Sequence, residues 1–390
     1  MEKRLQGLTQ EQIKKITELR HTLHRYPELS MEERETKRLL MEFLKKETEL
    51  ELADRGHWFY AFCRGNQAEG ERKAIAFRAD FDALPIAETG ELPYASLHEG
   101  ISHRCGHDGH SAALAGLALT LTPGTYDKDI YLIFQHGEEI GGGGAECAAL
   151  LREKGIGHVF AFHNWSGFPE GSIVVRNGIT QCASKGLTVA FSGKTAHASQ
   201  PEDGMNPACA VSELVLFMAE AAGLPEYQAL VMATVVEVAV GSRNFGIAAS
   251  EGSVSATLRA GYDADLKKLE ERIRKKAGEL AARDGLAVEI SECDVFPDTV
   301  NDKDCVELVH RAAKKAGALV VELAEPFRAS EDFGYYLKEC PGAMFYIGNG
   351  VDYPQIHTMG YDFNDRILNT AVEMFRGILE EMEHSLRTDL

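Results

Sequence analysis

Residues 105–110 read Cys105-Gly106-His107-Asp108-Gly109-His110, and four of these six side chains can ligate a metal. A thiolate and an imidazole separated by one residue do not match the spacing of a structural zinc knuckle, which favours about two to four intervening residues. The cluster therefore implies a metal centre completed by ligands from distant parts of the chain, the pattern typical of catalysis. The alternative is a polar turn opening a helix, with Asp108 as its N-cap.

Glu138-Glu139 forms a second cluster. Adjacent carboxylates after a strand point in different directions, so one can bind metal while the other serves as general base beside an activated water. The alternative is a solvated acidic pair, common in a chain with 60 acidic residues. Asp80, Asp82, His163 and His357 are further ligand types. Singly, His163 and His357 carry little weight, because His21, His24, His57, His98, His103, His136 and His158 compete with them and spacing does not choose among these.

The elements around these residues alternate. Thr9–Tyr26 has helical spacing that Pro27 ends, and Ser30-Met31-Glu32-Glu33 reads as a capping box for a second helix reaching about Lys46. Strands are expected over 57–63, 74–78, 130–135 and 158–162, with helices over 111–121 and 145–154. Asp80 and Asp82, Glu138 and Glu139, and His163 each follow one of these strands. In open α/β sheets, sites form at the carboxyl ends of strands. The pattern thus predicts an α/β layer with a mixed, largely parallel sheet flanked by helices.

The middle of the chain changes character. Strands over 185–192, 229–240, 252–260 and 286–293, with helices over 206–222 and 264–283, give the order β-α-β-β-α-β. This predicts an inserted ferredoxin-like α+β domain over 184–294, within a discontinuous catalytic domain over 1–183 and 295–390. Its exposed strand edge suits pairing with a second copy, so a homodimer or higher homo-oligomer is expected.

Composition excludes several classes. The net charge of −19, without a basic stretch, argues against nucleic acid and against an anionic membrane surface. No apolar run approaches the roughly 18 residues of a membrane span. The polar start Met1–Gln10 does not read as a signal peptide. Eight scattered cysteines without a Cys-x-x-Cys pair suggest reduced thiols. A cytoplasmic protein is the expectation. Gly141–Gly144 lacks the Lys-Ser/Thr ending of a phosphate loop, which disfavours nucleotide binding.

Six segments occur in a telling order: Asp80-Phe-Asp82-Ala-Leu-Pro85, Cys105-Gly-His107-Asp-Gly-His110, Phe134-Gln-His-Gly-Glu138-Glu139, His163, Gly193-Lys-Thr-Ala-His197-Ala and Glu331-Asp332-Phe333. With Leu23-His24-Arg25-Tyr26-Pro27-Glu28-Leu29-Ser30, they resemble the metal-dependent aminoacylase/carboxypeptidase family over nearly the whole chain. The resemblance is strongest to the subfamily of hippurate hydrolases, N-acyl-amino-acid amidohydrolases and auxin-conjugate hydrolases.

The resemblance implies a two-metal hydrolase with Cys105, His107, Glu139, His163 and His357 as ligands, bridged by Cys105 or by water. A thiolate with imidazoles and one carboxylate suits zinc or manganese, with cobalt or nickel also accommodated. It further implies Glu138 as the general base for metal-bound water, Asp82 as an orienting carboxylate, and His197 as an oxyanion stabiliser, commonly from the neighbouring subunit. Asn244 and Arg259 resemble the family's binders of the substrate carboxylate. On residue type alone, Asn244 equally suits a turn cap and Arg259 an exposed strand position.

The sequence departs from the subfamily at His136, at Asn164-Trp165-Ser166, at Phe245-Gly246-Ile247-Ala248 and at His103-Arg104. These departures bear on substrate choice, while the ligands are intact. The implied reaction cleaves the amide of an N-acyl amino acid or related conjugate to a carboxylic acid and a free amino acid. A dipeptidase or exopeptidase would use the same site, and a catalytically silent metal-binding scaffold is the non-enzymatic alternative.

Overall fold

The structure, a computed structural model, describes residues 7–67 and 74–388. The apolar runs of strand length become an eight-stranded sheet. Its order is Glu51–Asp54, Phe59–Cys63, Asp129–Gln135, Ala74–Asp80, Ile156–Trp165, Gly342–Gly348, Ile173–Val175 and Val320–Glu322. The central strands Asp129–Gln135, Ala74–Asp80, Ile156–Trp165 and Gly342–Gly348 are mutually parallel. Antiparallel pairings join Phe59–Cys63 to both of its neighbours, and Gly342–Gly348 to Ile173–Val175. Ala74–Asp80 and Gly342–Gly348 are buried at every position, as strands covered on both faces must be. That is why they read as continuous apolar runs and not as alternation.

Helices flank this sheet. Gln10–Arg25, His107–Ala118, Lys303–Ala316 and Leu368–Thr388 pack on one another around a core that includes Ile16, Phe77, Leu117 and Val309. Phe375 contacts the rings of Phe77, Phe162 and Phe345, so truncating it to Ala should cost about 3–5 kcal/mol. Because the central strands are parallel, Asp80, Gln135 and Trp165 end at one edge of the sheet. The loops that follow them carry the chemistry.

Two local expectations are corrected. The capping box at Ser30–Glu33 does not form: the helix begins at Arg34, and its N-cap Glu33 makes no side-chain capping bond. Glu28 takes that role instead, its Oε2 accepting from the Thr36 amide at 2.8 Å and the Thr36 hydroxyl at 2.9 Å. Ser30 donates to Asp82 Oδ2 at 2.8 Å, so a tertiary partner has captured the hydroxyl that local pattern assigned to the helix end. Asp108 is likewise not an N-cap. The helix starts earlier than expected, at His107, after Gly106 in the left-handed region (φ 104°). A Cβ on Gly106 would also stand 2.3 Å from Asn164 Oδ1, so glycine is required twice over at this entry.

The chain divides into two compact units. One comprises Met1–Thr180, Thr299–Glu325 and Asp332–Leu390; the other comprises Gln181–Asp298 and Pro326–Glu331. The second unit has its own four-stranded antiparallel sheet, in the order Val231–Val240, Glu251–Ala260, Ala183–Ser192, Ala287–Phe296. This is the ferredoxin-like arrangement, with helices Ala208–Ala222 and Asp263–Asp284 covering a core that includes Val189, Leu214, Leu258 and Ile273. Among the described residues, no helix is long and apolar enough to cross a membrane.

Candidate metal centre

Cys105 is the hub of the first unit's site. Its buried Sγ lies 3.3 Å from His163 Nε2 and 3.3 Å from His357 Nε2. Two sets of donor atoms, each within 4.8 Å of one another, share this thiol: Cys105 with His107 and His163, and Cys105 with Glu139 and His357. Glu139 Oε1 is 3.7 Å from His107 Nε2 and 3.6 Å from His357 Nε2, so the two sets face each other. Glu138 stands beside them, its Oε2 3.9 Å from His107 Nε2.

Each ligand type arrives from a different element. Cys105 and His107 straddle the Gly106 entry to the helix, His163 projects from the strand Ile156–Trp165, and Glu138 and Glu139 form a 3-10 turn after Asp129–Gln135. His357 sits in a loop with its own backbone in the left-handed region (φ 61°), held by its N–H donating to Arg104 O at 2.7 Å. A non-glycine residue in that region is uncommon and sits where surrounding structure over-determines it.

The imidazoles are oriented for ligation. His107 Nδ1 donates to Asp82 Oδ1 at 3.0 Å, and His163 Nδ1 donates to the Asn164 carbonyl at 2.6 Å. Fixing Nδ1–H in this way leaves the Nε2 lone pair for a metal. His107 Nε2 and Glu139 Oε1 are buried without a hydrogen-bond partner, a costly state that a cation would relieve. The donor set, with these orphaned atoms, fits divalent ions. Asp82 does more than orient His107: its Oδ2 accepts from the Glu139 amide at 3.0 Å.

His110 is engaged elsewhere. Its Nδ1 bonds Asp80 Oδ1 at 2.6 Å and its Nε2 bonds Asn164 Oδ1 at 2.8 Å, so both ring nitrogens have protein partners. Asp80 is paired in turn with Arg78 at 2.6 Å, and Arg78 also binds Asp332 at 2.6 Å. This network underlies the centre and supports its strand ends.

The electrostatics point the same way. Burial works against a charge on His107, yet Asp80, Asp82 and Glu139 push its imidazole up to about 10. Burial, then the charges of Glu139, Glu138 and Asp80, pushes the Cys105 thiol well above its usual range. Burial lifts Glu139 to about 7, with His107 opposing and Asp82 adding. Burial, then His110, pushes His163 well down. The crowded carboxylates thus favour positive charge on His107 and oppose the Cys105 thiolate.

Sequence reasoning missed a buried ion network on the far side of His107. Asp108 Oδ2 lies 3.0 Å from Arg20 Nε and 2.8 Å from His24 Nδ1. His24 Nε2 reaches Glu88 at 3.2 Å, and Glu88 reaches Arg104 at 2.9 Å. The one available signal was the Leu23–Ser30 motif, whose His24 has no partner within its own segment.

His197, Asn244 and Arg259 belong to the second unit. His197 is exposed on the short strand Ala196–His197, its Nδ1 2.7 Å from Ser199 Oγ. Asn244 is exposed and accepts from the Gly246 amide at 3.1 Å, a turn-closing bond. Arg259 is half-buried and donates to Ser330 Oγ at 2.6 Å. Among the described residues no carboxylate pairs with it, and burial lowers its guanidinium from the usual value.

Residues 76–381 match the family model described as peptidase family M20/M25/M40. The chain is 33% identical over 350 residues to N-acetyl-L-cysteine deacetylase of Bacillus subtilis (strain 168), covering 88% of this chain and 82% of that protein. It is 30% identical over 375 residues to hippurate hydrolase of Campylobacter jejuni, covering 92% and 94%. Among solved structures, a Bacillus subtilis dinuclear metal-binding peptidase of the M20 family superposes with a TM-score of 0.81 at 24% identity, over 96% of this chain and 99% of that one. With the matching model spanning most of its length, the chain belongs to peptidase family M20/M25/M40.

Proposed function

We propose that this protein is a two-metal amidohydrolase that cleaves the amide of an N-acyl amino acid or related conjugate to a carboxylic acid and a free amino acid. One observation carries the reading: two donor sets share the Cys105 thiol, and Glu138 stands beside them. Cys105, His107, Glu139, His163 and His357 would hold the ions. Zinc or manganese suits this donor set, and cobalt or nickel can substitute. When bound, such ions polarise the amide carbonyl and acidify water.

The chain's own residues do the rest. Glu138 accepts the proton of the attacking water and delivers it to the leaving nitrogen. Asp82 keeps His107 in the tautomer that offers Nε2. Arg259, a guanidinium with a hydroxyl partner and no carboxylate partner among the described residues, receives the substrate's carboxylate. Asn244 assists it. His197 stabilises the developing oxyanion, supplied by the second copy of a homodimer. Pairing through the second unit is supported by its edge strand Val231–Val240, which exposes Val236 and Val238.

The test is a screen of N-acyl amino acids against dipeptides, with the purified protein loaded with each metal in turn. Turnover of the N-acyl amino acids is the expected result. Dipeptide cleavage alone would replace this reading with an exopeptidase, and no turnover with any metal would favour a scaffold.

A further inference from the structure

The loop that carries Glu138 and Glu139 is built to be loose. Gly137 and Gly141 flank its 3-10 turn in the left-handed region, and Gly142, Gly143 and Gly144 follow. Glycines confer little conformational bias, so the turn's position must be imposed from outside. Three buried carboxylates do this by accepting from its amides. Asp82 Oδ2 takes Glu139 N at 3.0 Å, Asp332 Oδ2 takes Gly144 N at 2.8 Å, and Glu33 Oε1 takes Gly137 N at 2.7 Å.

Asp82 and Asp332 have other partners that account for their burial, His107 and Arg78. Glu33 has no such explanation. It is 3% exposed, its Oε2 lacks a hydrogen-bond partner, and no cation pairs with it among the described residues. Burial, then the charge of Asp82, lifts its acid to about 7. Nor does Glu33 cap the helix it precedes. Beside the backbone of its own segment at Met31 and Glu33, this buried carboxyl holds one distant group, the amide immediately before the proposed base. Its own segment lies against the same loop, since a Cβ on Gly137 would meet Met31 Sδ at 2.9 Å.

We propose that Glu33 is a positioning residue for the base: by holding the Gly137 N–H, it fixes where Glu138 sits relative to the ligands. This rests on the reading of Glu138 as the general base. Glu33 is outside the proposed ligand set and acts through the backbone of the turn. An acceptor at this position is what matters, so Gln should substitute and an apolar residue should not.

The experiment compares wild type, Glu33→Gln, Glu33→Leu and Glu33→Ala as full-length, metal-loaded protein. Hydrogen exchange by mass spectrometry reports the loop, and steady-state kinetics on an N-acetyl amino acid report the base. For the Leu and Ala variants, exchange across 136–144 should quicken at least about tenfold while the rest of the protein keeps its protection. Their kcat per metal-loaded molecule should fall about 10–100-fold with KM within a few-fold of wild type, as a displaced catalytic group requires. Glu33→Gln should stay near wild type in both readouts. If Leu should not fold, Ala is read in the same way. Wild-type loop protection in the Ala variant overturns the proposal, as does unchanged kcat or a Gln variant as impaired as Ala. If Glu138→Gln retains turnover, the base reading falls separately, while loop exchange still decides whether Glu33 anchors the turn.

Discussion

His107 Nδ1 lies 3.0 Å from Asp82 Oδ1, and the other oxygen of the same carboxylate holds the amide of Glu139 at 3.0 Å. One buried side chain therefore aims two of the proposed metal ligands, which are 32 positions apart in sequence. Replacing Asp82 by Ala should weaken metal binding about 10–100-fold, the usual effect of losing a ligand's orienting partner. Competition against a chromophoric chelator measures this directly. Unchanged affinity would mean that the helix and turn place both ligands without help.

Metal binding should depend on pH with a definite sign. In the metal-free protein, His107 is pushed up to about 10 and the Cys105 thiol well above its usual range, so both carry a proton at neutral pH. Each must release it to become a ligand, and affinity therefore rises with pH. Above about pH 7, log K should climb by roughly two per unit, and more steeply below it, where Glu139, lifted to about 7, also holds a proton. Calorimetry in buffers of different ionisation enthalpy counts the protons, and a pH-independent affinity would contradict the assignment.

Arg259 carries the substrate-carboxylate reading. Losing one charged hydrogen bond of about 1.5–3 kcal/mol, Arg259→Ala should raise KM for an N-acyl amino acid about 10–100-fold. The matching α-carboxamide substrate, which lacks the charge, should be affected far less. Equal losses on both substrates would remove Arg259 from carboxylate recognition.

The Arg20–Asp108 pair predicts a stability effect without catalytic chemistry. Both side chains are fully buried, so Arg20→Met leaves Asp108 without its guanidinium partner and should cost about 3–5 kcal/mol. Urea unfolding of the metal-free protein is the measurement. A change below about 1 kcal/mol would mean that His24 satisfies Asp108 by itself.

What the sequence revealed, and what it hid, divides by the range of the interaction. Ala74–Asp80, Asp129–Gln135 and Ile156–Trp165 were legible because burial on both faces leaves continuous apolar runs, and the residues just beyond them were legible as site candidates for that reason. The second unit's strand and helix order was legible from alternation and amphipathic spacing. Ser30 and Asp108 were misread because their local patterns are those of helix caps, whereas their partners lie 52 and 84 positions away. No local rule identifies Glu33 as the acceptor for Gly137, 104 positions on. Likewise, nothing local separates His110 from Cys105 and His107 in the 105–110 cluster; its partners Asp80 and Asn164, 30 and 54 positions away, do.

Glu138 is proposed to move the proton while its neighbours hold the metals. The most direct test is Glu138→Gln, with metal content and single-turnover kinetics measured on the same preparation. Two metal equivalents, as in wild type, with turnover of an N-acyl amino acid reduced at least about 10³-fold, is the predicted result. Turnover close to wild type with both metals in place would contradict it.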